Sequence, residues 1–250
     1  MVGSTRTIVV VPAFNEAERI GRVIAAMPRS VDEIVVVDDA SADATSAIAR
    51  ASADPRVRVL THAVNRGVGA AIATGYRDAL SAGGQPRDAL VVMAGDGQMD
   101  PSDLEAMTTP ILEGRAGYVK GNRFAHPAIR TTMPRARHIG GLVFSRLTSL
   151  AIGEDVHDSQ CGFTAMAREA CTQLDLDALW PRYGYPNDLL AQLAERRIAI
   201  AEVCVRPVYA GEASGLRAWH CARIAQLVGR AWVRRMVTER HRGRESLRAG

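Results

Sequence analysis

The chain has 250 residues, of which 47% are hydrophobic, and its formal net charge at pH 7 is +4. This apolar content excludes a chain that is disordered throughout, and the length fits one large α/β domain with or without an appendage. The four cysteines show no CxxC spacing, which argues against a structural zinc site or a disulfide framework and favours a reducing cytoplasm.

Apolar, β-branched runs alternate with helical patterns through the first half of the chain. The runs lie at residues 7–13, 34–37, 57–61 and 89–93. Strands that are apolar on both faces and separated by helices predict a mostly parallel sheet, flanked by helices, with its ligand crevice at the carboxyl ends of the strands. Polar clusters follow these strands, so we expect the clusters to meet at one edge of the sheet.

Residues 93–101, after the fourth run, carry oxygen-bearing side chains on one tight turn: Asp96, Gln98 and Asp100. Such oxygens are the ligands that Mg²⁺ or Mn²⁺ prefers when it also holds substrate phosphates. A turn that only caps a helix would show similar residues, because Asp is favoured at a helix N-terminus and Pro101 suits the first helical position. The turn alone therefore leaves both interpretations open.

Gly67 and Gly69 open the third helical pattern, as a nucleotide-binding turn would. The GxGxxG spacing is absent, however, and the segment follows the third strand rather than the first. No Walker-type phosphate loop is present either. A Rossmann dehydrogenase is therefore disfavoured.

The second half is less regular. A strand is predicted at residues 118–122, and Arg135 and Arg137 follow on a loop that leads into a helix through Leu142 and Leu150. A helix to about Arg196 and a strand at residues 199–205 come next. No internal repeat or low-complexity linker separates these elements, so a single domain with a C-terminal extension is expected.

Residues 216–237 place Trp219, Trp232 and several aliphatic side chains among arginines. This pattern is typical of an interfacial membrane helix, and anionic lipid would favour its binding. Packing against the domain or against the partner of a homodimer would explain the pattern equally well. No signal peptide and no apolar run of about 20 residues is found, so we expect a soluble or peripheral protein.

Six motifs along residues 7–165 resemble those of family-2 glycosyltransferases of the GT-A fold, and within them the dolichyl- or polyprenyl-phosphate sugar synthases. The motifs are VPAFNE at 11–16, VDDASADAT at 37–45, NRG at 65–67 with GAA at 69–71, GDGQMDP at 95–101, GNRF at 121–124 and DSQCGF at 158–163. The resemblance implies a Rossmann-like, mostly parallel twisted sheet and a nucleotide-sugar donor.

The resemblance also implies roles for individual residues around the donor. The residues expected to hold or border the nucleotide are Pro12, Ala13, Asn15, Glu16, Asp38 or Asp39, Arg66 and Gly67. Asp96 and Gln98 would be the ligands of Mg²⁺ or Mn²⁺, which would stabilise the charge of the leaving diphosphate. One departure stands out: the family usually has an acidic residue at the position of Ala94.

On the acceptor side the resemblance implies an anion site. Arg123, and with it Arg135 and Arg137, would receive an acceptor phosphate or the donor diphosphate, because a guanidinium suits bidentate contacts. A solvated basic loop is the alternative. Asp158 and Gln160 are expected near the acceptor, although turn capping would explain them equally well.

The need for a catalytic base depends on the acceptor. A phosphate has a second pKa of about 6 and is already an anionic nucleophile, so it needs no strong base. A hydroxyl acceptor would need one, and Asp188 is the candidate by resemblance. An ordinary exposed Asp at a helix start is the alternative for this residue.

We therefore expect an inverting, metal-dependent transferase that moves a hexosyl or N-acetylhexosaminyl group from a UDP- or GDP-linked sugar to a polyprenyl phosphate. A soluble small-molecule acceptor, or a non-catalytic nucleotide-sugar-binding protein, would also fit the residues. Residues 1–210 would form the GT-A domain, with a donor half at 1–122 and an acceptor half at 123–210, and residues 211–250 a basic amphipathic helix and tail. The expected location is cytoplasmic, at the inner face of the membrane through that helix, without a nucleic-acid partner.

Overall fold

The computed structural model describes residues 5–208, 225–233, 235 and 236. These residues form one seven-stranded sheet flanked by helices. The strands are β1 (Thr7–Ala13), β2 (Glu33–Asp38), β3 (Val57–Thr61), β4 (Ala89–Val92), β5 (Tyr118–Asn122), β6 (Thr164–Ala167) and β7 (Ile200–Cys204). The helices are α1 (Ile20–Ala25), α2 (Thr45–Arg50), α3 (Val68–Ser81), α4 (Leu104–Leu112), α5 (Ile129–Thr132), α6 (Arg135–Ile152), α7 (Arg168–Cys171) and α8 (Tyr185–Glu195).

The strand order is β3-β2-β1-β4-β6-β5-β7, and only β6 runs antiparallel to its neighbours. Strands β1, β4, β5 and β6 are buried along their whole length, whereas the edge strands β3 and β7 are mostly half-buried. Their β-branched side chains fill both faces, as a parallel sheet covered by helices requires. The mixed α/β, mostly parallel fold expected from the sequence is confirmed.

The helix α3 approaches the sheet closely at Gly75. A Cβ built on this glycine would lie 2.2 Å from Cγ1 of Val10, so a larger residue would push the helix away from β1. Because α3 begins at the loop that follows β3, this contact also fixes the position of that loop at the carboxyl edge of the sheet.

Two details of the second half differ from the sequence prediction. Strand β6 was not predicted, because its four residues, TAMA, are short and contain one β-branched side chain. Arg135 and Arg137 lie in the first turn of α6 rather than on a loop. Pro134 directly precedes this helix, and a proline there cannot interrupt hydrogen bonds of the helix interior.

The predicted C-terminal helix is described only in part. Residues 225–233, 235 and 236 are helical, with Leu227 and Val228 buried and Trp232 and Val233 exposed. Trp219 and most of the C-terminal arginines lie outside the described residues. Within the described ranges, no helix has the length and apolar character needed to cross a bilayer.

Candidate functional site

Two adjoining cavities open at the carboxyl edge of the sheet, beside the ends of β1 and β4. The first encloses about 650 Å³ and the second about 410 Å³. Five residues line both cavities: Pro12, Val68, Ala94, Asp96 and Tyr183. Pro12 and Ala13 form the end of β1 in the first cavity. Asp96 lines both cavities and so lies where these two spaces of ligand size meet.

The loops after β1 and β2 are tied to each other by side-chain hydrogen bonds to the backbone. Asn15 has a left-handed φ of 56°, its N–H donates to Ser41 Oγ at 2.9 Å, and its Oδ1 accepts from the N–H of Ala42 at 2.9 Å. The N–H of Glu16 donates to Thr45 Oγ1 at 2.7 Å. Asn15 thus shapes the rim, whereas Glu16 lines the first cavity itself.

Asp39 fixes the third loop of this edge. Its Oδ1 accepts from the N–H of Arg66 at 2.8 Å and lies 2.7 Å from Nδ1 of His62, while its Oδ2 accepts from the N–H of Gly67 at 2.6 Å. Asp39 is buried and lines the first cavity. Asp38 instead accepts from the N–H of Ser41 and lines neither cavity, so the structure places Asp39 at the site.

Gly67 needs to be a glycine for two reasons. Its φ is +98°, a region that side chains other than glycine avoid, and an added Cβ would lie 2.5 Å from the carbonyl oxygen of Pro181. This close approach brings the segment around Pro181 against the first cavity. The side chain of Arg66, by contrast, is exposed and lines neither cavity.

The acidic turn, residues 96–98, lies at the junction of the cavities. Asp96 Oδ1 accepts from the N–H of Gln98 at 2.9 Å, and Gly97 between them has a φ of +73°. Asp100 Oδ1 accepts from the N–H of Ser102 at 2.9 Å and so caps the 3₁₀ turn that follows. The acidic turn therefore presents Asp96 to both cavities and Gln98 to the second.

The donor set of the acidic turn fits a hard cation only together with a phosphate ligand. Among the described residues, no three His, Cys, Asp or Glu side chains converge on one point. Asp39 is committed to backbone N–H groups, and Ala94 brings no oxygen from its side chain. One carboxylate and one carboxamide match Mg²⁺-type sites, which take few protein ligands and complete their shell with water and substrate phosphate.

Arg123 is held at the second cavity by Asp158. Its Nε donates to Asp158 Oδ2 at 2.7 Å and its Nη2 to Oδ1 at 2.9 Å, which is a bidentate ion pair. Asp158 is fully buried and lines neither cavity, whereas Arg123 lines the second. Glu202 Oε1 accepts from the backbone N–H of Asp158 at 3.1 Å and so holds the backbone of this residue in turn.

The remaining acceptor-side residues separate into two groups. Gln160 and Arg137 line the second cavity, and Gln160 Nε2 donates to Ser159 Oγ at 2.9 Å. Arg135 is exposed and lines neither cavity. Asp188 is buried in the first turn of α8, where its Oδ2 accepts from the N–H of Trp180 at 2.9 Å, and it also lines neither cavity.

Two ionisable side chains of the second cavity are neutral near pH 7. Burial raises the pKa of the Cys161 thiol and of the Tyr185 hydroxyl. Lys120 is buried behind Cys161, and its Nζ donates to the carbonyl oxygen of Cys161 at 2.6 Å. Burial lowers the pKa of Lys120. These groups shape the cavity, and none of them supplies a ready anionic nucleophile.

Arg182 and Tyr183 were not predicted at the first cavity, yet both line it. Arg182 Nη1 donates to Asn65 Oδ1 at 3.4 Å, across from the loop that Asp39 fixes. The sequence signal was weak, because these residues lie far along the chain, in an irregular segment before α8. Residues 12–96 thus form most of the first cavity, and the second half of the chain closes it.

Comparisons with known proteins agree with this geometry. The model of "Glycosyl transferase family 2" matches residues 8–175. The undecaprenyl-phosphate mannosyltransferase of Micrococcus luteus is 31% identical, over 79% of this chain and 82% of that protein. The UDP-N-acetylglucosamine–dolichyl-phosphate N-acetylglucosaminyltransferase of Methanococcus voltae is 29% identical, over 80% of this chain and 84% of that protein.

A solved structure shares the fold. It is glucosyl-3-phosphoglycerate synthase from Mycobacterium tuberculosis in complex with Mn²⁺, uridine diphosphate and phosphoglyceric acid. The TM-score is 0.68 at 24% identity, over 92% of this chain and 79% of that chain. The likeness confirms the expected GT-A fold.

Proposed function

Because the chain belongs to glycosyl transferase family 2, we propose that it transfers a sugar from a nucleoside diphosphate sugar to a polyprenyl phosphate. One observation carries the proposal: Asp96 lies in the wall shared by the two cavities. A sugar bonded to a diphosphate in the first cavity would therefore present its anomeric carbon to a nucleophile in the second. Direct displacement at that carbon inverts its configuration.

The first cavity suits the nucleotide. Its volume, about 650 Å³, lies in the range of nucleotide-sized ligands. Glu16 and Asn65 offer oxygens to the hydroxyl and N–H groups of a nucleoside, and Arg182 offers a guanidinium to the diphosphate. The sugar would then lie toward Asp96, where the second cavity begins.

Mg²⁺ or Mn²⁺ is the cofactor that the acidic turn would hold, through Asp96 and Gln98. When bound, the cation supplies positive charge next to the leaving diphosphate. The Mn²⁺ in the solved structure of glucosyl-3-phosphoglycerate synthase supports this assignment. Because Ala94 offers no side-chain oxygen, the oxygens of the donor itself would complete the coordination, and the affinity for the metal would depend on the presence of the donor.

The second cavity suits an acceptor that is both anionic and apolar. Arg123 and Arg137 bring positive charge, while Met133, Phe124 and Phe144 bring apolar surface. A phosphate that carries an isoprenoid chain matches this combination better than a small polar acceptor does. Two relatives whose names specify undecaprenyl phosphate and dolichyl phosphate support the assignment.

The position of Asp188 agrees with a phosphate nucleophile. Asp188 is buried away from both cavities, and its Oδ2 accepts from a backbone N–H. A hydroxyl acceptor would need a base at the second cavity, whereas a phosphate has a second pKa of about 6 and is an anion at neutral pH. We therefore assign Asp188 a role in holding residues 180–188 in place rather than a role as base.

The protein would act in the cytoplasm, at the membrane that contains its lipid acceptor. We propose that the exposed Trp232 and Val233 of the C-terminal helix contribute to that contact. Residues 1–122 would mainly bind the donor and residues 123–210 the acceptor.

A donor and acceptor panel tests the function. Purified protein with Mn²⁺ would be given UDP-glucose, UDP-N-acetylglucosamine or GDP-mannose, each with undecaprenyl phosphate, a short-chain prenyl phosphate or phosphoglyceric acid. We expect mass spectrometry to detect a glycosylated prenyl phosphate from one donor and no product from phosphoglyceric acid. Product from phosphoglyceric acid alone would favour the soluble acceptor, and calorimetric donor binding without transfer or hydrolysis would indicate a binding protein.

A further inference from the structure

The exposed side of helix α6 is apolar. Its five large apolar residues at helical spacing are each at least 45% exposed: Ile139, Leu142, Val143, Leu147 and Leu150. Their spacing of three or four residues, with one adjacent pair, places them on one side of the helix, which we call the α6 stripe. A contiguous apolar surface of this kind on a globular domain indicates a contact with something else.

The opposite side of α6 is buried and combines polar residues with Ala151 and Ile152. Thr148 Oγ1 donates to Asn187 Oδ1 at 2.8 Å, and Ser149 Oγ donates to the carbonyl oxygen of Val156 at 3.0 Å. Ser145 Oγ accepts from the N–H of Ser159 at 2.9 Å. These hydrogen bonds fix the rotation of the helix, so the α6 stripe faces outward because of its buried polar partners. Most of the large apolar residues of α6 thus lie on its exposed side, whereas a helix of a globular domain normally buries them.

The charge of α6 favours an anionic partner. The helix contains Arg135, Arg137 and Arg146 and no Asp or Glu. Arg146 is exposed and lies within the α6 stripe, between Val143 and Leu147. Apolar side chains interspersed with arginines match the interface of a bilayer that contains anionic phospholipid, in which the apolar groups enter the acyl boundary and the arginines meet headgroups.

The same helix forms part of the second cavity. Ala136, Arg137, Gly140, Gly141 and Phe144 line this cavity, on the side of α6 next to the α6 stripe. Gly141 is held close to Phe124, since an added Cβ would lie 2.6 Å from its ring. A surface that rests on α6 would therefore lie directly beside the cavity.

We propose that the α6 stripe docks on an anionic lipid bilayer and so turns the second cavity toward the membrane. The delivery of a lipid acceptor by this docking rests on the function proposed above. A polyprenyl phosphate could then enter the cavity with its phosphate while most of its chain stays in the bilayer, since the cavity of about 410 Å³ is too small for a long isoprenoid.

Vesicle co-sedimentation tests the docking. Wild-type protein and the Val143→Glu/Leu147→Glu variant would be mixed with vesicles of phosphatidylcholine that contain about 30% phosphatidylglycerol. We expect the variant to bind at least about tenfold more weakly, because two apolar contacts are replaced by carboxylates. Val64→Glu is the control, since Val64 is also exposed but lies in the loop between β3 and α3 rather than on α6, and it should bind like the wild type.

Three results would overturn the proposal. They are a wild type that stays unbound at these vesicles, equal binding by all three proteins, and a wild-type dimer that the double substitution alone dissociates. An assay of sugar transfer to a short-chain, water-soluble prenyl phosphate distinguishes a failure of the docking proposal from a failure of the proposed function. The double variant should keep that transfer, whereas absence of transfer from every protein, with the contrast in vesicle binding intact, would reject the function and leave the docking surface standing.

Discussion

The walls of the two cavities use charged side chains in opposite ways. In the first cavity, Asp39 accepts hydrogen bonds from the backbone N–H groups of Arg66 and Gly67, so its charge fixes a loop. In the second cavity, Arg123 lies at the surface together with Arg137 and Asp96, and the residue that fixes Arg123, Asp158, is buried behind it. In the proposed function, the wall of the first cavity would frame a nucleotide and the wall of the second would present positive charge to an anion.

Asp96 belongs to both walls, so its replacement should have the largest effect. We expect Asp96→Asn to lower kcat about 10²- to 10³-fold, because the carboxylate that would hold the cation beside the departing diphosphate is lost while the shape is kept. Steady-state transfer kinetics would measure this. Asp100→Asn is the matched control on the same loop and should stay within a few-fold of wild type, since Asp100 caps the turn at Ser102.

The Arg123–Asp158 pair should affect stability more than any pair of the first wall. Arg123→Ala leaves the fully buried Asp158 without its guanidinium partner, and we expect the free energy of unfolding to fall by about 3 kcal/mol. Urea denaturation would measure it. The Arg123→Ala/Asp158→Ala variant should lose less than the sum of the two single variants, and additive losses would show that the pair is not coupled.

Two exposed arginines near the first cavity should differ in their effect on the donor. Arg182 lines the cavity and Arg66 does not. We expect Arg182→Ala to raise the KM for the donor about tenfold, through loss of one charge-assisted contact, and Arg66→Ala to change it less than about twofold. Equal effects would mean that the Arg66 side chain reaches the nucleotide after all.

The smallest effect concerns an ion pair remote from both cavities. Hydrogen bonds from the Arg56 side chain lower the pKa of Asp54 to about 2. A carboxylate with a lowered pKa stabilises the fold above its ordinary pKa, about 3.9, and this contribution is lost as the pH falls toward 2. In thermal melts, we expect the Tm of the wild type to exceed that of Arg56→Gln at pH 5, and we expect this difference in Tm to shrink by pH 2. The two proteins should have the same affinity for the donor. A constant difference in Tm would contradict this linkage.

The residues that line the first cavity could be predicted from the sequence to a larger extent than those that line the second cavity. Strands β1 to β4 are continuous apolar runs, and their short loops must meet at one edge of a parallel sheet, which placed Glu16, Asp39 and Asp96 together. Strand β6 and the pairing of Arg123 with Asp158 depend on contacts between distant segments. The outward rotation of α6 also follows from such contacts, because Thr148 and Ser149 look like ordinary solvent-facing residues in the sequence.

The sequence also left alternatives that only coordinates separate. Asp38 and Asp39 are adjacent and chemically identical. In the structure, the Asp38 carboxylate accepts from the N–H of Ser41, whereas Asp39 lines the first cavity. Asp188 fits the position of a base in the sequence but is buried against the backbone of Trp180. In both cases the local backbone, which a pattern of residue types does not specify, decides the role.

In the proposed function, the acidic turn joins a donor cavity to an acceptor cavity and would hold the cation on which the transfer depends. The most direct test is a single-turnover transfer of labelled sugar to undecaprenyl phosphate, measured with Mn²⁺, after exhaustive chelation with EDTA, and after Mn²⁺ is restored. We expect product with Mn²⁺, no product after chelation, and recovery of product when Mn²⁺ is restored. Product formation that continues undiminished after chelation would contradict this expectation.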